Sequence, residues 1–591
     1  MAIKELPISL SFDRQRFLQY SPADCANHYA VTAPTGKKQK ALYPVMGRKH
    51  LMKGNANALV FSNQPRKIFK SIGFVYIVVG ATIYRVDQNF NKRVISDASF
   101  TQVNGDLNFA FLPTIQGTNA TPSANTQATF CMFCDGDDVF IFNEKTSVFS
   151  KVTDPLKPPF PLYCEAFGNR FVVSSRNSTQ FQLTQINLGA TYDPALVFTI
   201  NGAAVFAQES GLIRQMAVLH NLLFIFTDYT TGIWSNTPSV FNTADASSTF
   251  PFKKNTSYEF DYGIADSDSL DVDFGMVVWL AQNRNGLVTF MSSNGQDLKP
   301  ISSQAVNVVL QQLANASSGN FLLNLDTTGF LYQYEDSVFY RANIGDYVNY
   351  DTLDRSSLAV SLEYNFNNDS WHRCIELNGE RNRTEQHEFF ANTHMTIVSN
   401  QTAIYNMSGE FYFNELQDSA SPTGFQAYPF RYENVTSIIS EPDYSEFITD
   451  YVQIDFVWGA GTASYSDGPY ANTVFLVAEA STAAVPVYLV AEDGVSYIIK
   501  DGTNVPDLNS TIYNTLFNPH IELYFSDDGG VSFHSADVLE FSQLGVYQWR
   551  ARWYQLGSSR NRVYKLICVS PAPIVILGGV QDTRRISGGA N

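Results

Sequence analysis

Cys131-Met-Phe-Cys134 has the C-x-x-C spacing of a zinc or redox pair. On a strand, residues three apart face opposite sides, and no second Cys or His pair stands at zinc spacing, so neither role is expected. The run DSDSLDVD brings Asp266, Asp268, Asp271 and Asp273 close together in sequence. An EF-hand loop needs Gly at its sixth position and Glu at its twelfth. This chain has Asp271 and Val277 there, so a solvated acidic loop is expected. Asp135-Gly136-Asp137-Asp138 reads as a hairpin turn on the same logic. The histidines (His28, His50, His220, His372, His387, His394, His520 and His534) accompany no G-x-S-x-G and no H-E-x-x-H, and no Gly-rich phosphate loop occurs. No catalytic, cofactor or metal residues are therefore expected, and the chain does not read as an enzyme.

Ser526-x-Asp528-x-Gly530-x-x-Phe533 fits the Asp-box, a structural hairpin of sialidase-like propellers that lies away from their chemistry. A sialidase also needs an arginine cluster, a Tyr nucleophile and an Arg-Ile-Pro-like entry motif, none of which is recognisable. A second pattern follows the box. From Trp549 to Arg585 stand Arg550, Arg552, Arg560, Arg562, Lys565, Arg584 and Arg585, against the single acid Asp582. These are either solvated charges protecting strand edges or an electrostatic contact surface. On the second reading Arg550, Arg552, Arg560 and Arg562 are the candidate subunit or partner contact.

The elements that must position these residues follow from composition and pattern. Of 591 residues, 45% are apolar and 14% aromatic, but only 16% are charged, against ~25% in ordinary soluble domains. Such a chain builds long β surfaces that meet something. The net charge of −17 is uneven: residues 1–100 carry +10, residues 549–591 carry +6, and the middle carries −33. That is not the pattern of a conventional nucleic-acid reader, whose basic patch dominates. An acidic surface does suit a conduit along which DNA slides without sticking. Six scattered cysteines give no disulfide framework. No apolar signal-peptide core is expected in MAIKELPISLSFD, and the apolar runs are too short to span a bilayer as helices.

Residues 1–60 read as an extended basic arm, with Lys37, Lys38, Lys40, Arg48, Lys49 and Lys53 among Pro and Gly breaks. From about residue 68 a loose repeat begins: an apolar strand, a tight polar turn, then an aromatic-rich strand. FVYIVVGATIYRVDQNFN (74–91), MAVLHNLLFIFTDYTTGIWSN (216–236) and FLLNLDTTGFLYQYEDSVFYRAN (321–343) are examples. Units of this kind at ~35–55-residue spacing predict propeller blades, six or seven of them. One helix is expected over 303–314, with Ser302 or Ser303 as N-cap. Beyond Leu416 the texture changes, and residues 462–518 read as an insertion before a closing run of strands from Pro519. The fold class expected is all-β: a propeller over 61–415 with an additional C-terminal β-rich domain over 416–591. Val563–Val569 is apolar on both faces, which predicts a strand buried on both sides or placed in a subunit contact.

The closing run resembles the C-terminus of the packaged-DNA stabilisation proteins, also called tail hub or nozzle proteins, of short-tailed bacteriophages. The likeness rests on SDDGG (526–530), GVYQWRARW (545–553) and LGSSRNRVYKLICVSPAPIVILGG (556–579). LPISL (6–10), Asn27–Tyr29 before YPVMG (43–47), and KPISSQAVNVVLQQL (299–313) extend it to the N-terminus and the middle. The chain departs from the family pattern in the 462–518 insertion and a longer propeller region. The resemblance implies a structural virion component, assembled in the host cytoplasm and commonly six copies in a ring. Such a ring lies below the portal and its adaptor, extends the DNA channel, retains packaged DNA, and supports a tail needle or plug and spikes or fibres. Genomic DNA would pass without sequence-specific binding, and no cofactor or small-molecule substrate is implied. The alternative is a propeller-type carbohydrate-binding protein or glycosidase.

Overall fold

The structure is a computed structural model. It describes residues 2–32, 40–51, 59–113, 129–185, 193–200, 203–236, 250–255, 259–316, 327–345, 359–418, 424–458, 489–490, 497–498, 520–540, 548–570 and 572–585. The described residues are almost entirely β, and none of their helices is long and apolar enough to cross a membrane.

Five separate antiparallel sheets follow one another along residues 65–94, 108–151, 161–208, 213–254 and 263–300. Two further four-stranded units are arms of a large 14-stranded sheet. One comprises Thr327–Tyr334, Ser337–Ile344, Val360–Asn365 and Ser370–Arg373. The other comprises Thr384–Phe390, Thr393–Val398 and Ile404–Ser408, and takes its outer strand, Gly47–His50, from near the N-terminus. Together they make seven blades. Each blade shares an apolar core with the next, so its middle strands are buried on both faces: all of Val75–Val79 and Phe171–Val173 is buried. A strand flanked on both sides needs no polar face, which is why these segments read as continuous apolar runs.

The ring closes where Ile68, Val75, Ile77 and Val79 of the first blade pack on Phe390, Met395, Ile397 and Ile404 of the seventh. The Ile68 amide donates to Gln386 Oε1 across this seam (3.1 Å). Gly263 marks a close approach between the fourth and fifth blades, since a Cβ there would lie 2.2 Å from the Thr227 carbonyl oxygen. Helix Gln304–Ala316 buries Ala305, Val306, Leu310 and Leu313 between the fifth and sixth blades, and Ser303 Oγ accepts from the Val306 amide (3.3 Å) as its cap. Cys131 lies in the core between blades one and two, and Cys134 in that between two and three, on opposite faces of one strand.

The remaining strands form a two-sheet sandwich. One sheet holds His28–Thr32, Lys40–Pro44, Ile574–Arg585, Phe447–Trp458 and Gln548–Tyr554, with Ala2–Glu5 added to Ile574–Arg585. The facing strands are Asp24–Ala26, Phe425–Val435, Val563–Ser570, His520–Ser526 and His534–Glu540. Leu6, Tyr29, Leu42, Val452, Ile454 and Trp553 meet Phe430, Tyr432, Ile521, Leu523, Leu566 and Cys568 in the core between them. Val563–Ser570 is central and buried on both faces.

The N-terminal stretch is not a free basic arm. Its short apolar pieces find strand partners at the far end of the chain, and Arg48 is fully buried on Glu376 (2.8 Å). Lys37, Lys38 and Lys53 lie outside the described residues, as does the 462–518 insertion apart from the two-residue strands Leu489–Val490 and Tyr497–Ile498.

Candidate functional site

The Asp-box is a hairpin whose hub is Asp528. Its Oδ1 accepts from Ser526 Oγ (2.6 Å) and the Val531 and Ser532 amides (3.0 Å each), while Oδ2 accepts from Ser532 Oγ (2.6 Å). Gly530 turns the chain at φ 94°, and a Cβ there would press on Pro22 at 2.8 Å. The hydroxyls of Ser526 and Ser532, with the neighbouring amides, hold the Asp528 carboxyl well below the usual carboxylate range. A lowered pKa contributes stability above the unfolded value of about 3.9, and that stability is lost as pH falls through the folded value. Asp528→Asn is expected to lose about 1 kcal/mol, because the site is exposed and screened. It should also flatten the acid limb of the melting curve; unchanged acid unfolding would refute this.

The four arginines do not share one fate. Gln548–Tyr554 is an edge strand that turns Ala551 and Trp553 inward and Arg550, Arg552 and Tyr554 outward. Arg550, with its side chain 68% exposed, lies 3.5 Å from Asp455. Arg552 donates to Gln453 Oε1 (3.2 Å) and stacks 4.9 Å over the Tyr451 ring. Arg560 is exposed. Arg562 is fully buried: it pairs with Asp527 (2.8 Å), donates to the Leu556 carbonyl (2.7 Å) and lies over Phe525. It is therefore no partner contact. It fastens the closing run to the Asp-box hairpin.

Glu363, His372 and Cys374 bring ligand-type atoms within 4.8 Å of one another, all buried. The arrangement does not suit a cation. Glu363 Oε2 already accepts from Arg341 Nε (2.6 Å) and Tyr332 OH (2.6 Å), and Oε1 contacts His372 Nε2 (2.8 Å). A metal there would face the Arg341 guanidinium at short range. Four other histidines are also engaged. His28 Nε2 meets the Ile574 carbonyl (2.9 Å), His50 pairs with Glu415, and His387 Nε2 meets His394 Nδ1 (2.9 Å). Burial lowers His28 and His394 to about 4, so both rings are neutral at pH 7.

The mouth of the propeller holds a cavity of about 770 Å³. Every blade or its leading loop contributes: Arg66, Asp106, Tyr163, Asp228, Asp266, Thr328 and Glu385 are on its wall. Arg214 Nε pairs with Asp228 (2.5 Å), Arg381 with Glu385 (2.8 Å), and Lys67 with Asp268. The acidic run expected to be a solvated loop is built in here instead. Asp266 accepts from the Thr327 amide (2.8 Å) and Asp271 from the Leu331 amide (2.6 Å), bolting the fifth blade to the innermost strand of the sixth. Strand-end carboxylates that find main-chain donors on another blade carry no signal in sequence.

Burial, reinforced by Asp268, pushes Asp266 up to about 7; burial likewise raises Asp271 to about 6 and Glu388 to about 8. Raised carboxyl values favour the fold below the unfolded pKa of about 4, and this contribution is lost as pH rises through about 6–8. Stability should therefore fall by about 1–3 kcal/mol between pH 5.5 and 8.5. Asp266→Asn with Glu388→Gln should flatten that slope; a slope identical to wild type would refute the assignment.

The topology defines a β-propeller protein with an attached β-sandwich. No protein-family model matches the sequence, and no curated protein matches it. Among solved structures the chain is similar to Kluyveromyces lactis Hsv2 with its complete loop 6CD, at 14% identity over 62% of this chain and 97% of that one, TM-score 0.27. It is also similar to the Neurospora crassa Pan2 WD40 domain, at 8% identity over 62% and 94%, TM-score 0.29.

Proposed function

We propose that this protein is a structural tail component of a short-tailed bacteriophage, a hub or nozzle subunit. Six copies form a ring below the portal and its adaptor, extend the DNA channel, retain packaged DNA, and carry the tail needle and the spikes or fibres. One observation carries the reading: segments resembling that family at opposite ends of the sequence meet in one folded unit. Leu6, of LPISL, donates its amide to the Gly579 carbonyl (2.9 Å) in the closing run. Asn27 bonds the Ile375 and Arg431 carbonyls (2.8 Å each), and Gln19 and Pro22 back the SDDGG turn. Distant motifs that fold together are what a shared architecture requires, whereas chance matches have no reason to converge.

Charge supports a conduit. The acid is concentrated in the middle of the sequence, which carries −33 and includes blades two to six. DNA passing an acidic surface meets like charge and slides without trapping. The test is negative-stain imaging of the purified protein, alone and on isolated tails, with labelled antibody against this chain. A six-fold ring and label at the tail are expected; a monomer that never decorates tails would overturn the proposal.

A further inference from the structure

One side of the sandwich runs into the propeller: Asp24–Ala26 pairs with Ser370–Arg373 of the sixth blade, and Phe425–Val435 pairs with Phe413–Gln417. The other side ends in two open strand edges, one from each sheet. Among the described residues, His534–Glu540 pairs only with His520–Ser526, and Gln548–Tyr554 only with Phe447–Trp458. No other main-chain hydrogen bond among those residues reaches Ser535–Glu540 or Arg550–Tyr554. The edges lie side by side, since Trp553 Nε1 of one donates to the Asp537 carbonyl of the other (3.3 Å). An open edge offers amides and carbonyls to any strand that reaches it.

The two edges differ in charge. Ser535–Glu540 exposes Asp537 and Glu540, whereas Arg550–Tyr554 exposes Arg550 and Arg552. Each also leaves a large side chain uncovered, Val538 at 50% and Tyr554 at 61%. Two like edges meeting would set arginine against arginine or acid against acid, so charge selects the pairing of unlike edges. Because both edges lie on one side of the same molecule, a second copy related by a two-fold axis satisfies both at once.

We propose that the free subunit pairs with a second copy of itself through these edges, Ser535–Glu540 of each copy adding antiparallel to Arg550–Tyr554 of the other. One register sets Val538 opposite Tyr554 and Glu540 opposite Arg552, and the two-fold axis makes every contact twice. Strand addition supplies main-chain bonds, while the side chains fix partner and register. The pairing also covers two edges that would otherwise template aggregation. It does not rest on the tail reading, although a ring neighbour engaging Arg550 and Arg552 would have to displace the second copy.

The experiment is sedimentation velocity on the full chain over a wide concentration range, with amide hydrogen exchange at low and high concentration. A dimer is expected that weakens with salt, with exchange slowed at Ser535–Glu540 and Arg550–Tyr554 as it forms. Arg550→Glu with Arg552→Glu, and separately Asp537→Lys with Glu540→Lys, should each raise the dimer dissociation constant about tenfold or more while keeping a wild-type melting profile. All four substitutions in one chain reverse both edges and should restore the dimer, which a mere folding defect would not do. A monomer at every concentration, a dimer indifferent to both reversals, or a folded fourfold variant that stays monomeric would overturn the proposal. Tail labelling is scored separately: labelled tails with a monomeric free subunit would overturn the pairing alone, and a dimer that never labels tails would overturn the tail reading alone.

Discussion

Arg341→Ala is expected to destabilise the protein by about 3–5 kcal/mol, because it leaves a buried carboxylate without its cation. Arg341 and Glu363 are both buried, 2.6 Å apart, and Arg341 lies between Phe330 and Tyr332. Arg341, then the His372 and Tyr332 hydrogen bonds, hold the Glu363 carboxyl down at about 2 despite complete burial. That lowered value contributes stability above the unfolded pKa of about 4.3, and the contribution is lost as pH falls towards 2. In the alanine variant Glu363 must either remain charged in an apolar site or take up a proton. Its acid limb should therefore shift to higher pH while its midpoint in urea falls. Arg341→Met combined with Glu363→Gln removes both charges and should recover most of the loss. A single variant within about 1 kcal/mol of wild type would show that the pair is not a keystone of the sixth blade.

The second large effect is on assembly. Arg550→Glu with Arg552→Glu should leave the subunit folded and yet prevent its incorporation into tails, giving heads that leak DNA. Both side chains project from an edge strand; within the subunit Arg550 lies by the partly exposed Asp455, and Arg552 meets Gln453, which is buried but uncharged. Exposed pairs contribute only ~0–1 kcal/mol each, so the folded subunit should tolerate the reversal. Around a ring the same contact repeats in every copy, and small losses multiply. Arg562→Glu is the contrasting variant: it buries an unpaired acid and should unfold the closing run. The comparison requires melting temperature, virion incorporation and DNA retention for each. Normal incorporation of the folded double variant would remove this strand from the interface and leave its charges as ordinary edge protection.

What could be read from the sequence was local. The alternation in Ile521–Phe525, the apolar middle strands of the blades, the opposed faces of Cys131 and Cys134 and the capped helix near 303–314 all follow from periodicity. Periodicity is fixed by backbone geometry within a few residues. The Asp-box was legible for the same reason, since its donors lie within four residues of Asp528.

Only the tertiary structure decided the rest. The seventh blade takes Gly47–His50 as its outer strand, and the closing strand Ile574–Arg585 pairs with Ala2–Glu5. A strand carries no label for a partner hundreds of residues away; its pairing is settled by which apolar faces can be buried together. Arg560 and Arg562 look alike in sequence, but one is solvated and the other lies in the core beside Asp527. The acidic run reads as a loop until its carboxylates meet amides of the next blade. In each case the side chain's environment is set by groups brought close in space, and charge takes its role from that environment rather than from its position along the chain.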